Sequence, residues 1–309
     1  MSGSGATGLD NAHGAGACAC RRTEAQVNGH DHGETPATDA TTATGASGRP
    51  PPNATPMIPG MCEQFVARAS EPFRLDELWP YTDRLERFGI AGFGWGVAWL
   101  DGDRALRSHR HISAFRDDPD RDRLGAIETT SVLVHLRRPS RLSTLQLPDA
   151  QPFDDPVGRF AFSHNGDLRD YRAARRRYQQ QGRIHGRADS EVGQRWLEDA
   201  WSDDEPVEHL LAALHDAFGG EANLAVLTRD GTPHHYAGNP QNPVFTFRLG
   251  RIGVASTALY SVDRSLFRYA AQGATDRALA RLHATIALDE RGRPVEAGTG
   301  RSPRPAGRS

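Results

Sequence analysis

"GMCEQFVARAS", residues 60–70, is where the 309-residue chain changes character. Residues 1–60 are dominated by Gly, Ala, Thr, Pro, Ser and Asp, with almost no large apolar residue before Met57. Such a segment is expected to bury too little surface to offset its ordering entropy. From Cys62 onward, "CEQFVARA" alternates apolar positions and predicts a strand. Cys62 itself is open to two readings: a small core residue, as buried cysteines commonly are, or the first residue of the working protein.

Outward from this stretch, "LDELWPYTDRLERFG" carries broken helical periodicity and ends on Gly89. "FGWGVAWL" (93–100) and "TTSVLVHLR" (129–137) are rich in aromatic and β-branched residues, as buried strands are. "GRFAFSHNGDL" (158–168) predicts a strand running into an Asn-Gly turn. Three helical patterns follow: "LRDYRAARRRYQQQG", "DSEVGQRWLEDAWS" with an Asp/Ser cap, and "VEHLLAALHDAFGG" closing on glycine. "ANLAVLTRDG", "PVFTFRLG" and "RIGVAST" then return to strand composition. Strands, helices and strands again, without regular βαβ alternation, predict an α+β domain with mainly antiparallel sheet. The expected divisions are a disordered extension over 1–61, a folded domain over 62–290 and a loose tail over 291–309.

Composition excludes several function classes. The 37 basic residues, all of them arginine, nearly balance 39 acidic ones, so no global field favours nucleic acid or an anionic membrane. The absence of lysine rules out lysine chemistry such as a lysine Schiff base. No apolar run approaches the roughly 20 residues that span a bilayer, and no basic-then-apolar leader opens the chain, which leads to the expectation of a soluble, cytoplasmic protein. The three cysteines, Cys18, Cys20 and Cys62, cannot form a disulfide framework for a chain this long. "CAC", "GHDHG", "SHRHIS" (108–113) and "PHHY" (233–236) lack diagnostic metal-ligand spacing, so no metal site is expected and the last two are read as strand-face histidines.

Four clusters resist a purely structural reading: Met61-Cys62, "HLRRPS" (135–140), "SHNGDL" (163–168) and "RADSE" (187–191). In this order they resemble the class II glutamine amidotransferase domain of the N-terminal nucleophile hydrolase superfamily. That family has a cysteine placed after an initiator Met or a propeptide, then H-x-R, H-N-G and D-S-E. Here these read Cys62, His135-Leu136-Arg137, His164-Asn165-Gly166 and Asp189-Ser190-Glu191. "GFGWGVAW" also looks like the Gly-rich strand of compact members, and the resemblance covers about residues 61–260.

The resemblance implies a four-layer αββα sandwich, two antiparallel sheets between helical layers. It implies Cys62 as nucleophile, its own α-amine as base, and Asn165 and Gly166 as oxyanion donors. A thiol with pKa near 8.5 beside an amine with pKa near 7.7–8.0 makes that pairing chemically sound, provided Cys62 becomes the chain terminus. Either translation from Met61 followed by removal of that Met, or cleavage of a propeptide between Met61 and Cys62, would accomplish this. Arg137 and Ser140 are assigned to the α-carboxylate of a glutamyl group and Asp189 to its ammonium, one cation and one anion matching one zwitterion. Arg137 also fits a strand-end arginine, Asp189 a helix cap, and "SHNG" a plain turn. His135 and His164 are taken as supporting residues. No cofactor is implied.

The expected substrate is glutamine or a γ-glutamylated small molecule, cleaved through a γ-glutamyl thioester. Three readings stay open: an ammonia-delivering subunit of a separate synthase, a hydrolase of a γ-glutamyl small molecule, and a non-catalytic binding descendant. Compact members include a hydrolase of γ-glutamyl intermediates in ergothioneine synthesis. The chain departs from the family pattern at Pro139, between Arg137 and the hydroxyl of Ser140, and after "VASTALYS".

Overall fold

The computed structural model describes residues 62–89, 91–258 and 264–297, all within one of the chain's two units, Pro56–Ser309. The expected disordered extension over 1–61 lies outside the described residues.

In chain order the first half contains β1 (Glu63–Arg74), α1 (Trp79–Gly89), β2 (Trp95–Leu100), β3 (Leu106–His111), α2 (Arg121–Gly125), β4 (Glu128–Leu136), β5 (Phe153–Asp154) and β6 (Phe160–Gly166). There follow α3 (Arg172–Gln180), α4 (Asp189–Ala200), α5 (Val207–Phe218), β7 (Ala222–Thr228), β8 (Pro233–Tyr236), β9 (Val244–Leu249) and β10 (Ile252–Thr257). The last elements are α6 (Arg264–Ala270), β11 (Ala274–Leu279), β12 (Thr285–Leu288) and β13 (Pro294–Ala297).

The strands form a seven-stranded sheet in the order β11-β9-β10-β1-β4-β2-β3 and a six-stranded sheet in the order β13-β12-β8-β7-β6-β5. Their pairings are antiparallel. Trp79, Tyr81 and Leu85 of α1, with Phe267 of α6, pack on Phe65, Ala67, Val132 and Val134 of the first sheet. Tyr178, Val192, Leu197, Leu211 and Leu214 of α3, α4 and α5 pack on Phe162, Leu224 and Val226 of the second. Between the sheets lies a third cluster that includes Val66, Ala98, Leu133, Ala161, Ala225, Leu227 and Ala255. The layers therefore run helix, sheet, sheet, helix, the αββα sandwich that was expected.

Two local expectations need correction. Asn165 and Gly166 do not form a turn. Both belong to β6 and pair with Asn223 and Ala222 of β7. Gly166 is needed for a different reason: its φ is +132° and a Cβ there would lie 1.9 Å from the Glu221 carbonyl oxygen. Nor does the fold stop at residue 290. "DERGRP" is a hairpin turn in which Asp289 Oδ1 accepts the Arg291 and Arg293 N–H groups, and β13 pairs with β12 beyond it.

Four of the nine buried residues in the inter-sheet cluster, Ala98, Ala161, Ala225 and Ala255, are alanine, which lets the two buried sheets approach closely there. Ala225→Leu inserts three heavy atoms into that seam and is expected to destabilise the protein by about 1–3 kcal/mol. Urea denaturation measures this. An unchanged midpoint would mean that the seam is looser than its alanines imply.

Candidate active site

The site grows from the register of β1 against β4. Glu63 pairs with Leu136 and Gln64 with His135, which brings Cys62, one residue back, level with Arg137. The Cys62 Sγ accepts the Arg138 N–H at 3.3 Å, and its S–H faces the Arg138 carbonyl at 3.6 Å. Burial pushes the thiol up to about 11, against the opposing pull of the Arg138 N–H and the Arg137 charge.

Arg137 follows β4 directly, its backbone fixed by Gly94 at 2.8 Å and Phe93 at 3.2 Å. Its side chain is only 4% exposed and has neither an ion pair nor a side-chain hydrogen bond among the described residues. Burial pulls this guanidinium below its ordinary value, partly offset by Cys62 and Asp149. A buried cation in this state is costly until an anion joins it.

Asp189 is the first residue of α4 rather than its cap, a position held by Ala188. Asp189 Oδ2 accepts the Leu168 N–H at 2.9 Å, and its Oδ1 has no partner among the described residues. The turn leading into α4 is held by the buried Asp149, whose Oδ1 accepts the Arg187 and Ala188 N–H groups at 2.6 and 2.7 Å. Glu191, the last residue of the D-S-E motif, ties the preceding loop by accepting from the backbone of His185 and Gly186.

Asn165 points between the sheets. Its Nδ2 donates one hydrogen to Thr257 Oγ1 at 3.4 Å, and the second has no partner among the described residues. Thr257 is itself committed: its hydroxyl lies 2.6 Å from Glu63 Oε2 and accepts the Gln64 N–H at 2.9 Å. Asn242 Nδ2 reaches both the Cys62 carbonyl and Glu63 Oε2 at 3.3 Å.

Both predicted supporting histidines are buried, and burial keeps them neutral. His135 is lowered to about 3, and its Nδ1 meets Ser163 Oγ at 2.7 Å; Ser163 in turn donates to Gln64 Oε1. His164, also lowered by burial, meets Ser190 Oγ through Nδ1 at 2.9 Å, and Gln151 bridges Ser190 to the His164 backbone.

Cys62, Arg137, Ser140, His164, Gly166 and Asp189 line one cavity of about 930 Å³. Asn165 and His135 are fully buried and do not line it. Sequence reasoning missed Thr257, Asn242, Gln151 and Asp149. The last three come from Pro-rich connecting segments with no motif of their own, and Thr257 ends a strand that gave no polar signal.

Of the strand-face histidines, His109 gains acidic company that spacing did not reveal. Its Nε2 lies 2.7 Å from Asp118 Oδ2, and together with Asp120 these residues bring ligand-type atoms within 4.8 Å of one another. The same Asp118 oxygen accepts from Trp95 Nε1, and its other oxygen accepts the Asp120 N–H, so the carboxylate is spent on local hydrogen bonds. No helix among the described residues is long and apolar enough to cross a membrane.

Residues 76–233 match the family model of the class-II glutamine amidotransferases. The chain belongs to this family. Its fold is similar to that of glutamine phosphoribosylpyrophosphate amidotransferase from B. subtilis, solved with ADP and GMP. The identity is 16% and the TM-score 0.59, over 76% of this chain and 49% of that one. It is likewise similar to a structure of the allosteric regulatory enzyme of purine biosynthesis, with 16% identity and a TM-score of 0.57 over 74% and 47% of the two chains. A glutamine aminotransferase class-II domain protein from Silicibacter pomeroyi matches at 18% identity and a TM-score of 0.49, over 76% of this chain and 98% of that one. The chain thus spans about half the length of the first two structures. No curated protein matches.

The buried histidines of this amidotransferase domain give it an acid limit. His135, His234 and His235 are lowered by burial to about 3, 4 and 4, against 6.5 when solvated. Because the unfolded chain binds their protons first, their contribution is complete above about pH 6.5 and is lost as pH falls toward 4. Each weakens the fold by about 1.4 kcal/mol per pH unit within that window. Urea midpoints are expected to be flat above pH 7 and to drop steadily from pH 6.5 to 4.5. A midpoint constant across that window would show that these rings are solvated.

Proposed function

We propose that this chain is an amidohydrolase that cleaves a γ-glutamyl amide through a γ-glutamyl thioester on Cys62. The observation that carries the reading is the buried Arg137 guanidinium, unpartnered among the described residues and lining the same cavity as Cys62 and the half-satisfied Asp189. Arg137 takes the α-carboxylate through its two-pronged fork, with Ser140 beside it. Asp189 Oδ1 takes the α-ammonium. The substrate is then fixed at its charged end, with its side-chain carboxamide free to reach the thiol.

In this reading the residues before Cys62 are removed, and its α-amine takes the thiol proton. Sulfur attacks the carboxamide carbon, and its oxygen becomes an oxyanion. The Gly166 backbone N–H, on the cavity wall, receives that charge and is worth about 2.7–4 kcal/mol at the transition state; Asn165, buried behind that wall, adds a second donor by turning its amide into the cavity. As the carbon–nitrogen bond breaks, the α-ammonium returns its proton to the departing amine, leaving the thioester. A water molecule, deprotonated by the same amine, attacks the thioester carbon. The carbon–sulfur bond breaks, the thiolate regains the proton, and glutamate leaves.

Intact mass of the natural protein and amine release together test the proposal. A chain beginning at Cys62 is expected to release ammonia or an amine from glutamine or other γ-glutamyl amides. Cys62→Ala is expected to abolish release, and Arg137→Ala to lower kcat/KM by about 100-fold through loss of a charge-assisted pair. Arg137→Lys restores charge without the fork and is expected to recover only part of the loss. A full-length chain whose activity survives Cys62→Ala would sink the mechanism.

A further inference from the structure

We infer that the cavity wall beyond the glutamyl pocket binds an acidic group, a carboxylate or phosphate carried by the amine half of the substrate. This rests on the amidohydrolase reading above. The cavity, at about 930 Å³, lies at the upper end of the roughly 300–1,000 Å³ typical of sites for drug-sized ligands, far more than glutamine fills.

Its wall carries Arg138, Arg141, Arg169, Arg172 and Arg187 besides Arg137. None of these forms an ion pair among the described residues. By contrast, the arginines that do pair, such as Arg159, Arg183 and Arg195, lie off the cavity. With Arg137 and Asp189 set aside, five cations on the wall face three carboxylates, Asp149, Asp167 and Glu221. Asp149 is already engaged by the Arg187 and Ala188 N–H groups and by Gln146 Nε2. A surplus of unpaired guanidinium groups on a partly enclosed wall selects anions.

Arg138 places this surplus beside the chemistry. Its backbone N–H meets the Cys62 sulfur at 3.3 Å, while its side-chain Nη1 is buried without a hydrogen-bond partner among the described residues. The amide nitrogen of the substrate is bonded to the carbon that sulfur attacks, so whatever extends from that nitrogen must pass the residues flanking the thiol. A buried guanidinium nitrogen without an acceptor is incomplete until an anionic oxygen reaches it.

The test compares γ-glutamylmethylamide, γ-glutamylglycine and γ-glutamylaminomethylphosphonate as substrates of the natural protein. At least one anionic compound is expected to exceed the neutral amide in kcat/KM by about tenfold or more, with a preference that falls as salt rises. The better of the two anions tells carboxylate from phosphate. Replacing the exposed Arg141 and Arg187 together (Arg141→Gln, Arg187→Gln) is expected to shrink that preference toward unity, whereas a structural defect would lower all three substrates alike. A neutral amide cleaved as well as both anions overturns the inference and leaves the amidohydrolase reading standing. If none of the three is cleaved, and glutamine is not either, that reading falls. Calorimetry on the full chain carrying Cys62→Ser then decides the subsite: tighter binding of an anionic compound than of γ-glutamylmethylamide upholds it, and equal binding overturns it.

Discussion

The two-residue period of strands buried on both faces is the constraint on which the structure depends. In β1, β4 and β6 one parity of residues meets a helical layer and the other meets the opposite sheet. Gln64 and Val66, Leu133 and His135, and Ala161, Ser163 and Asn165 all carry the inter-sheet parity. Along each strand the inter-sheet positions change from apolar to polar toward the end that holds Cys62 and Arg137. The apolar seam thus closes the sheets away from the cavity, and the polar ends meet where the cavity opens. A slip of one residue in β1 would exchange Phe65 for Gln64 and remove both seam and site together.

The same constraint explains why a buried polar network persists between the sheets. His135, Ser163, Gln64 and His235 form a continuous chain of contacts at 2.7, 2.7 and 3.4 Å. Replacing one member would leave its neighbours desolvated, so the group behaves as a unit. It fixes Gln64, which neighbours Glu63 and lies two residues from the thiol. Thr257 and Asn242 hold Glu63 as well. The chain segment bearing Cys62 is therefore fixed at both Glu63 and Gln64.

Legibility in the sequence followed contiguity. Cys62, Arg137, Asn165, Gly166 and Asp189 each sit in a short motif, and alternation in β1 with aromatic and β-branched composition elsewhere marked most of the strands around them, so their order along the chain could be read directly. What could not be read was what distance supplies. Thr257 and Asn242 reach the site from far along the chain, and Gln151 and Asp149 from a connecting segment outside the motifs. Asn165-Gly166 has turn composition, yet the glycine admits the Glu221 carbonyl within an antiparallel ladder. Likewise "DERGRP" has the composition of a tail, but one aspartate turns it into a hairpin. The acidic partner of His109 lies nine residues on, beyond any ligand-spacing rule.

Burial also bears on the choice of base in the proposed reaction. Within the chain, the Cys62 thiol is pushed up to about 11 while His135 is held at about 3. Moving a proton from that thiol to that imidazole crosses about eight pKa units, roughly 11 kcal/mol before any bond is made. An α-amine at its ordinary value of about 7.7–8.0 narrows the gap to about three units, roughly 4 kcal/mol. A glutamyl carboxylate on Arg137 would weaken that cation's hold on the thiolate and raise the cost further, so the base must be close and strong. On the proposed reading an amine on the same residue as the sulfur meets both conditions, and the nearby neutral histidines hold the strands.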